Sequence, residues 1–263
     1  MELGFTGKVV GITGAGSKEG IGYAIARGFL EEGAKVFLCD LNEEKVREVE
    51  EDLKQFGDVK AYVVNVADED QVAELFRKAL EDFGKIDVFV NNAGIYPQSA
   101  LQDMSVSLWD RVISVNLRSV FLCGSKAREV MAGSGGVIIN ACSYAALIGS
   151  AGSGAYAASK SAVYSLTKTM AAEYAPFGIR VNGFIPGVIE TGMTREVVEA
   201  RGDALVSQIA LHRLGKPSDV AKAVLFLASD QASYLTGTFI EVSGGKFCVQ
   251  NPDYGYQKWG DQR

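Results

Sequence analysis

The strongest constraint in this chain is a glycine-rich turn set between an apolar run and an amphipathic segment. Val9-Val10-Gly11-Ile12-Thr13 leads into Gly14-Ala15-Gly16-Ser17-Lys18-Glu19-Gly20-Ile21-Gly22. Ile21, Ala24, Ile25 and Phe29 then recur at helical spacing. Glycines let the backbone turn sharply and approach a pyrophosphate closely. The helix start adds unpaired N–H groups and the positive end of a dipole. A glycine cluster alone is a weak signal, but a strand before it and a helix after it supply the context that gives it meaning.

The same alternation of apolar runs and amphipathic segments continues along the chain, which predicts an α/β fold with a parallel sheet and crossover helices. Six more strands are predicted, at residues 35–40, 60–64, 86–90, 136–142, 179–184 and 239–242. Helical faces appear at Val46, Val49, Leu53 and Phe56, and again at Val72, Leu75, Phe76, Ala79, Leu80 and Phe83. A long helix is expected from near Leu108 to near Met131, another from near Tyr156 to Ala175, and a shorter one after Pro217. This gives seven strands and six main helices without a linker, so residues 1–246 are read as one domain and 247–263 as a C-terminal tail. Tyr254, Tyr256 and Trp259 leave two readings of the tail open: a loose end, or a segment docked on this chain or a neighbouring subunit.

Composition narrows the function. A formal charge of −6 and a pI of 5.0 provide no basic excess for tracking phosphates, so nucleic acid is not an expected partner. Cys39, Cys123, Cys142 and Cys248 form no Cys-x-x-Cys pair and His212 is the only histidine, so no metal site is expected. Neither a signal-peptide plan nor a membrane span is visible, and the expected location is the cytoplasm.

Asp40 ends the second strand, twenty residues after Gly20. A carboxylate there can accept from both adenosine ribose hydroxyls and would repel a 2′-phosphate. That favours NAD. Lys18 keeps NADP open as the lesser reading. Asn91-Asn92-Ala93-Gly94 closes the fourth strand with residues suited to a ligand crevice. Tyr156 and Lys160 are four apart on a predicted helix and share a face, where an ammonium would lower the phenol's pKa for acid–base work. Ser143 ends the fifth strand, and Asn116 sits inside the long helix, where its amide could bend the helix or hold a water. Each of these residues has an ordinary structural reading when taken alone.

Taken together they resemble the short-chain dehydrogenase/reductase family. The resemblance rests on Thr13-Gly14 with Gly20-Ile21-Gly22, on Asn91-Asn92-Ala93-Gly94, on Asn116, and on Ser143 thirteen residues before Tyr156-Ala157-Ala158-Ser159-Lys160. Pro186-Gly187 followed by Thr191 completes it, and residues 5 to about 246 follow the family's order and spacing. The resemblance implies a doubly wound, Rossmann-like fold, a nicotinamide cofactor and a homotetramer. It also implies a catalytic set of Asn116, Ser143, Tyr156 and Lys160. In that set Tyr156 exchanges the substrate proton and Ser143 orients the substrate oxygen. Lys160 binds the nicotinamide ribose and lowers the tyrosine pKa, while Asn116 holds a water. The implied cofactor contacts are Gly14, Ser17, Gly20, Ile21, Asp40, Asn65, Val66, Asn92, Ala93, Gly94, Tyr156, Lys160, Ile189 (through its backbone) and Thr191.

Two departures stand out. The glycine turn is two residues longer than the family's common form and resembles that of enoyl reductases, which space the catalytic Tyr and Lys more widely. Asn65-Val66 stands where many members have Asp-Val. The substrate wall is assigned to Ile95, Tyr96, Pro97, Ala145, Leu147, Ile148, Val188, Met193, Val197 and Val198, without an obvious cationic clamp, although Arg195 or Arg201 could favour an acidic substrate. The resulting expectation is NAD-dependent interconversion of a secondary alcohol and a ketone on a mainly apolar or cyclic, steroid-like body. A 3-oxoacyl thioester reductase and a non-catalytic dinucleotide sensor are the alternatives.

Overall fold

The computed structural model describes residues 3–246 and 248–260. Seven parallel strands form one sheet: β1 Val9–Thr13, β2 Lys35–Asp40, β3 Val59–Val63, β4 Val88–Asn91, β5 Gly136–Ala141, β6 Ile179–Pro186 and β7 Phe239–Val242. Their order is β3-β2-β1-β4-β5-β6-β7, the doubly wound arrangement. The order in which strands are added reverses between β1 and β4, and such a switch point leaves a crevice at the carboxyl ends of the strands.

Helices cover both faces. They are α1 Ile21–Glu31, α2 Glu43–Leu53, α3 Glu69–Phe83, α4 Val106–Ile113, α5 Ser119–Met131, α6 Gly154–Tyr174, α7 Arg195–Val206, α8 Pro217–Ala228 and α9 Tyr254–Trp259. One core joins α1, α2 and α8 to the sheet through Ile25, Phe29, Val46, Leu53 and Val224. The other joins α3, α5 and α6 through Leu75, Phe76, Cys123, Met131 and Met170. Strands buried on both faces carry near-continuous apolar runs, as parallel sheets require. Among the described residues no helix is long and apolar enough to cross a membrane.

Three expectations are corrected. The fourth strand starts at Val88 rather than Ile86. Asp87 serves as a tie instead, with its carboxylate accepting from Val9 N at 2.8 Å and its carbonyl from Val137 N at 3.0 Å. The long helix runs unbroken from Val106 to Met131 but is not α-helical throughout, because Ser114–Arg118 form a π turn between α4 and α5. Helix α7 had no clear apolar period to announce it, and Arg201 breaks its helical geometry at φ −142°.

The tail is docked on its own chain. The Tyr256 ring stacks on His212 with centroids 3.6 Å apart and planes 13° apart, and its hydroxyl donates to Ala210 O at 3.2 Å.

Candidate active site

The glycine turn is fixed from beneath by β4. Thr13 Oγ1 accepts from the N–H groups of Asn92 and Ala93, each at 3.0 Å, and Asn92 Nδ2 donates to the carbonyls of Thr13 and Gly14 at 3.1 and 2.9 Å. Asn92 therefore acts as a cross-link within the turn. Gly14 has φ +67°, and a Cβ there would lie 2.6 Å from Ala93 Cα. Ser17 is exposed and its carbonyl accepts from Gly20 N at 2.9 Å, so the longer turn closes on itself before α1. Helix α1 begins at Ile21 with no capping side chain and no acidic residue in its first turn, which leaves its N–H groups open to an anion.

Asp40 stands beside this turn, where Oδ2 accepts from Gly16 N at 2.9 Å and Oδ1 from Asn42 N at 3.2 Å. A Cβ at Gly16 would meet the Asp40 carboxyl carbon at 2.6 Å, so only glycine allows this approach. Lys18 points elsewhere. Its ammonium pairs with Glu48 at 3.4 Å and Asp52 at 3.2 Å on α2. Gly14, Asp40, Asn65, Val66, Ala93 and Gly94 line one cleft of about 670 Å³. Asn65 Oδ1 also holds Ala67 N at 3.1 Å. The cleft fits a dinucleotide: glycines where side chains would collide, an uncapped helix start, and a carboxylate at the end of the second strand.

The π turn explains Asn116. The wider coil turns its amide inward, where it is fully buried. Oδ1 accepts from Ile95 N at 2.8 Å, and Nδ2 donates to Ile95 O at 3.0 Å and Ser159 Oγ at 3.2 Å. Lys160 lies alongside on α6, 3% exposed, and donates to Ala141 O at 2.9 Å. A Cβ at Gly94 would lie 3.5 Å from Asn116 Oδ1 and 3.7 Å from Lys160 Nζ. Gly94 thus joins the cleft to this buried pair. Burial pulls the Lys160 ammonium down to about 8, against the opposing influence of Cys142.

Tyr156 and Ser143 line a second pocket, of about 360 Å³. Burial pushes the Tyr156 phenol up to about 12, while hydrogen bonding to Ser143 pulls against it and Cys142 and Tyr96 add to it. This corrects the expected lowering by Lys160. The ammonium stands 5.8 Å from the centre of the Tyr156 ring and is bonded to a carbonyl, so desolvation of the phenol prevails. Tyr96 meets Tyr156 edge to face, with ring centroids 4.8 Å apart.

Of the expected substrate wall, Tyr96, Ala145, Ile148, Val188, Met193 and Val197 line this pocket. Ile95 faces the larger cleft, Val198 a groove beside the glycine turn, and neither Pro97 nor Leu147 lines the pocket. Tyr144, Leu205 and Lys246 line it and were not foreseen. Lys246 corrects the expectation of a wall without a cation. The sequence marks its place only by a glycine pair, set off from the last strand by Ser243 and followed by the lysine.

Ile189 is buried, and its carbonyl accepts from Thr194 Oγ1 at 2.5 Å. Thr191 holds Thr194 Oγ1 through its own N–H at 3.1 Å, and it lines the groove that also contains Lys18 and Glu19. Across that groove the extra residues of the glycine turn reach α7, where Glu19 pairs with Arg195. Among the described residues no cluster of His, Cys, Asp or Glu is placed to hold a metal.

Residues 14–246 match the family model described as Enoyl-(Acyl carrier protein) reductase. The chain is 43% identical over 241 residues to the 3-oxoacyl-[acyl-carrier-protein] reductase FabG of Thermotoga maritima, covering 91% of this chain and 97% of that one. It is 42% identical to the protein of the same name from Chlamydia pneumoniae over 247 residues, 93% of this chain and 99% of that one. Among solved structures, a putative short-chain alcohol dehydrogenase from Sinorhizobium meliloti superposes with a TM-score of 0.90 at 33% identity, over 95% of this chain and 100% of the other.

Proposed function

From the premise that this chain belongs to the short-chain dehydrogenase/reductase family of nicotinamide-dependent oxidoreductases, we propose that it reduces the ketone of a 3-oxoacyl substrate to a secondary alcohol, with NADH as the preferred reductant. The carrying observation is the meeting of Tyr156 and Ser143 in one pocket, with Lys160 and Asn116 buried beneath Gly94 at the edge of the dinucleotide cleft. A phenol that stays protonated to about 12 is a proton donor at neutral pH, which suits reduction. Tyr156 gives its proton to the carbonyl oxygen and Ser143 orients that oxygen. Lys160 and Asn116 lie on the path by which the proton is replaced. A bound nicotinamide supplies the hydride. The Tyr156–Lys160 spacing supports ketone chemistry over enoyl reduction, and the names of the two FabG relatives support the 3-oxoacyl group.

NADH is preferred because Asp40 is fixed beside the turn and Lys18 is paired with Glu48 and Asp52. The test follows oxidation of NADH and NADPH by a 3-oxoacyl N-acetylcysteamine thioester, beside a panel of secondary alcohols with the oxidised cofactors. Faster turnover of the thioester with NADH is expected. Best turnover on an alcohol with a large apolar body would favour the second reading, which the apolar pocket wall supports. NADH binding without turnover of any carbonyl would reduce the protein to a sensor.

A further inference from the structure

The segment after β4 divides its side chains between the two cavities. Ile95 faces the dinucleotide cleft, and Tyr96, the next residue, lines the pocket that holds Ser143 and Tyr156. Pro97 disfavours helical backbone at Tyr96, and an extended chain sends successive side chains to opposite sides. The segment is tied down before and after Tyr96. The buried Asn116 amide bonds Ile95 N at 2.8 Å and Ile95 O at 3.0 Å. Ser99 N donates to Gly152 O at 2.7 Å, two residues before α6. Between these ties the Tyr96 ring packs edge to face on Tyr156, with the planes 77° apart. The two phenol rings therefore keep a set relation to one another.

The other polar side chains of this pocket are already engaged within the protein. Ser143 is hydrogen-bonded with Tyr156. Thr194 Oγ1 donates to Ile189 O, Ser150 Oγ accepts from Ser153 Oγ at 2.7 Å, and Tyr144 interacts with Glu241 and Ser243. Lys246 Nζ donates to Gln208 Oε1 at 2.7 Å and has a further interaction besides. The Tyr96 hydroxyl differs: among the described residues no hydrogen bond holds it. Its effect on Tyr156 is electrostatic, which puts the two phenols within reach of each other's charge without joining them. A phenol hydroxyl both donates and accepts. Set in an apolar wall, such a group is satisfied by a ligand that offers an acceptor and discriminates against one that does not.

We propose that Tyr96 is a specificity-determining residue whose hydroxyl donates a hydrogen bond to a second carbonyl oxygen of the substrate, so that the pocket reads a 1,3-dicarbonyl unit. The ketone oxygen then lies on Tyr156 and Ser143, and the acyl oxygen on Tyr96. This rests on the ketoreductase reading above and says how a 3-oxoacyl group is told from a plain ketone. Both phenols stand in one cavity of about 360 Å³, so the two oxygens of a short unit are met together. Tyr96 contributes binding; proton donation to the ketone stays with Tyr156.

The experiment compares a 3-oxoacyl N-acetylcysteamine thioester with a monoketone of matching length, using wild type and Tyr96→Phe, with NADH and NADPH in parallel. Phenylalanine keeps the ring against Tyr156 and removes only the hydroxyl. The variant should raise KM for the thioester about 3- to 10-fold, the worth of one neutral hydrogen bond. Its kcat on the thioester, and both constants on the monoketone, should stay within about twofold of wild type. An equal loss on both substrates would mark a structural role through Tyr156 and overturn the proposal, as would an unchanged KM for the thioester. Either result overturns this inference alone and leaves the ketoreductase reading standing. Wild type that reduces the monoketone but not the thioester, or no carbonyl at all, overturns the 3-oxoacyl reading and this inference with it.

Discussion

The cleft beside β1, β2 and β4 and the pocket beside β5 and β6 are built from different materials. The cleft is made largely of backbone: glycines at 14 and 16 that tolerate no Cβ, a helix start without a cap, and one carboxylate bonded to two N–H groups. The pocket is made of side chains from distant segments: Tyr96 after β4, Ser143 after β5, Met193 and Val197 around the start of α7, and Lys246 after β7. A backbone site is fixed by hydrogen bonds and changes little when a surface residue changes. A side-chain site is tuned one residue at a time. The contrast teaches that recognition of the cofactor and recognition of the substrate can vary independently within this sheet.

The sharpest probe of the division is Tyr156→Phe. Turnover should fall about a thousandfold while NADH affinity, read by fluorescence titration, holds, because the lost group belongs to the pocket. Equal loss of both would show that the two regions are not separable. Asp40→Asn acts on the other side. Removing the charge should cut the proposed preference for NADH over NADPH about tenfold or more and leave the ranking of carbonyl substrates as it was. A changed substrate ranking would contradict the division.

Lys160 sits at the seam. Its native pKa is about 8 against 10.5 for the unfolded chain, so the unfolded chain binds more protons between those values and stability rises with pH through that window. Below it, keeping the buried ammonium charged costs about 3 kcal/mol. Lys160→Met should therefore abolish turnover yet raise the melting temperature by about 5 °C at neutral pH, with the gain fading toward pH 10.5. A variant that melts below wild type at neutral pH would show that the lost bond to Ala141 outweighs the relieved charge.

The smallest effect is expected from Glu19→Gln, which removes the pairing with Arg195. Both side chains are exposed, so the melting temperature should hardly move. A KM change above about threefold for substrate alone would show that the turn steers the pocket more than a surface pair ordinarily can.

The legibility of the sequence follows the same division. The seven strands and the glycine turn were readable because strand burial and turn geometry write themselves locally, in apolar runs and in glycines. The proposed catalytic set could be picked out only as a combination, since Tyr156, Lys160, Ser143 and Asn116 each pass for ordinary residues. The π turn was not readable: it accompanies the bonds of Asn116 to both the N–H and the carbonyl of Ile95, a contact spanning 21 residues. The sign of the Tyr156 shift was also missed, because adjacency on a helix reveals which groups share a face but not how dry that face is. Helix α7 and Lys246 escaped for one reason. Neither carries a local period: Arg201 breaks the helical geometry of α7, and Lys246 reaches the pocket only through the folded chain.

The stack of Tyr256 on His212 has a practical side. It brings the final helix against the connection between α7 and α8, a few residues from Gln208, which orients Lys246. Phe5 instead packs on Phe29 of α1, ahead of β1 in the interior of the sheet. An affinity tag or fluorescent fusion belongs on the leading end of this protein. The same cargo on the trailing end would pull at the segment beside the pocket and distort the kinetics it was meant to help measure.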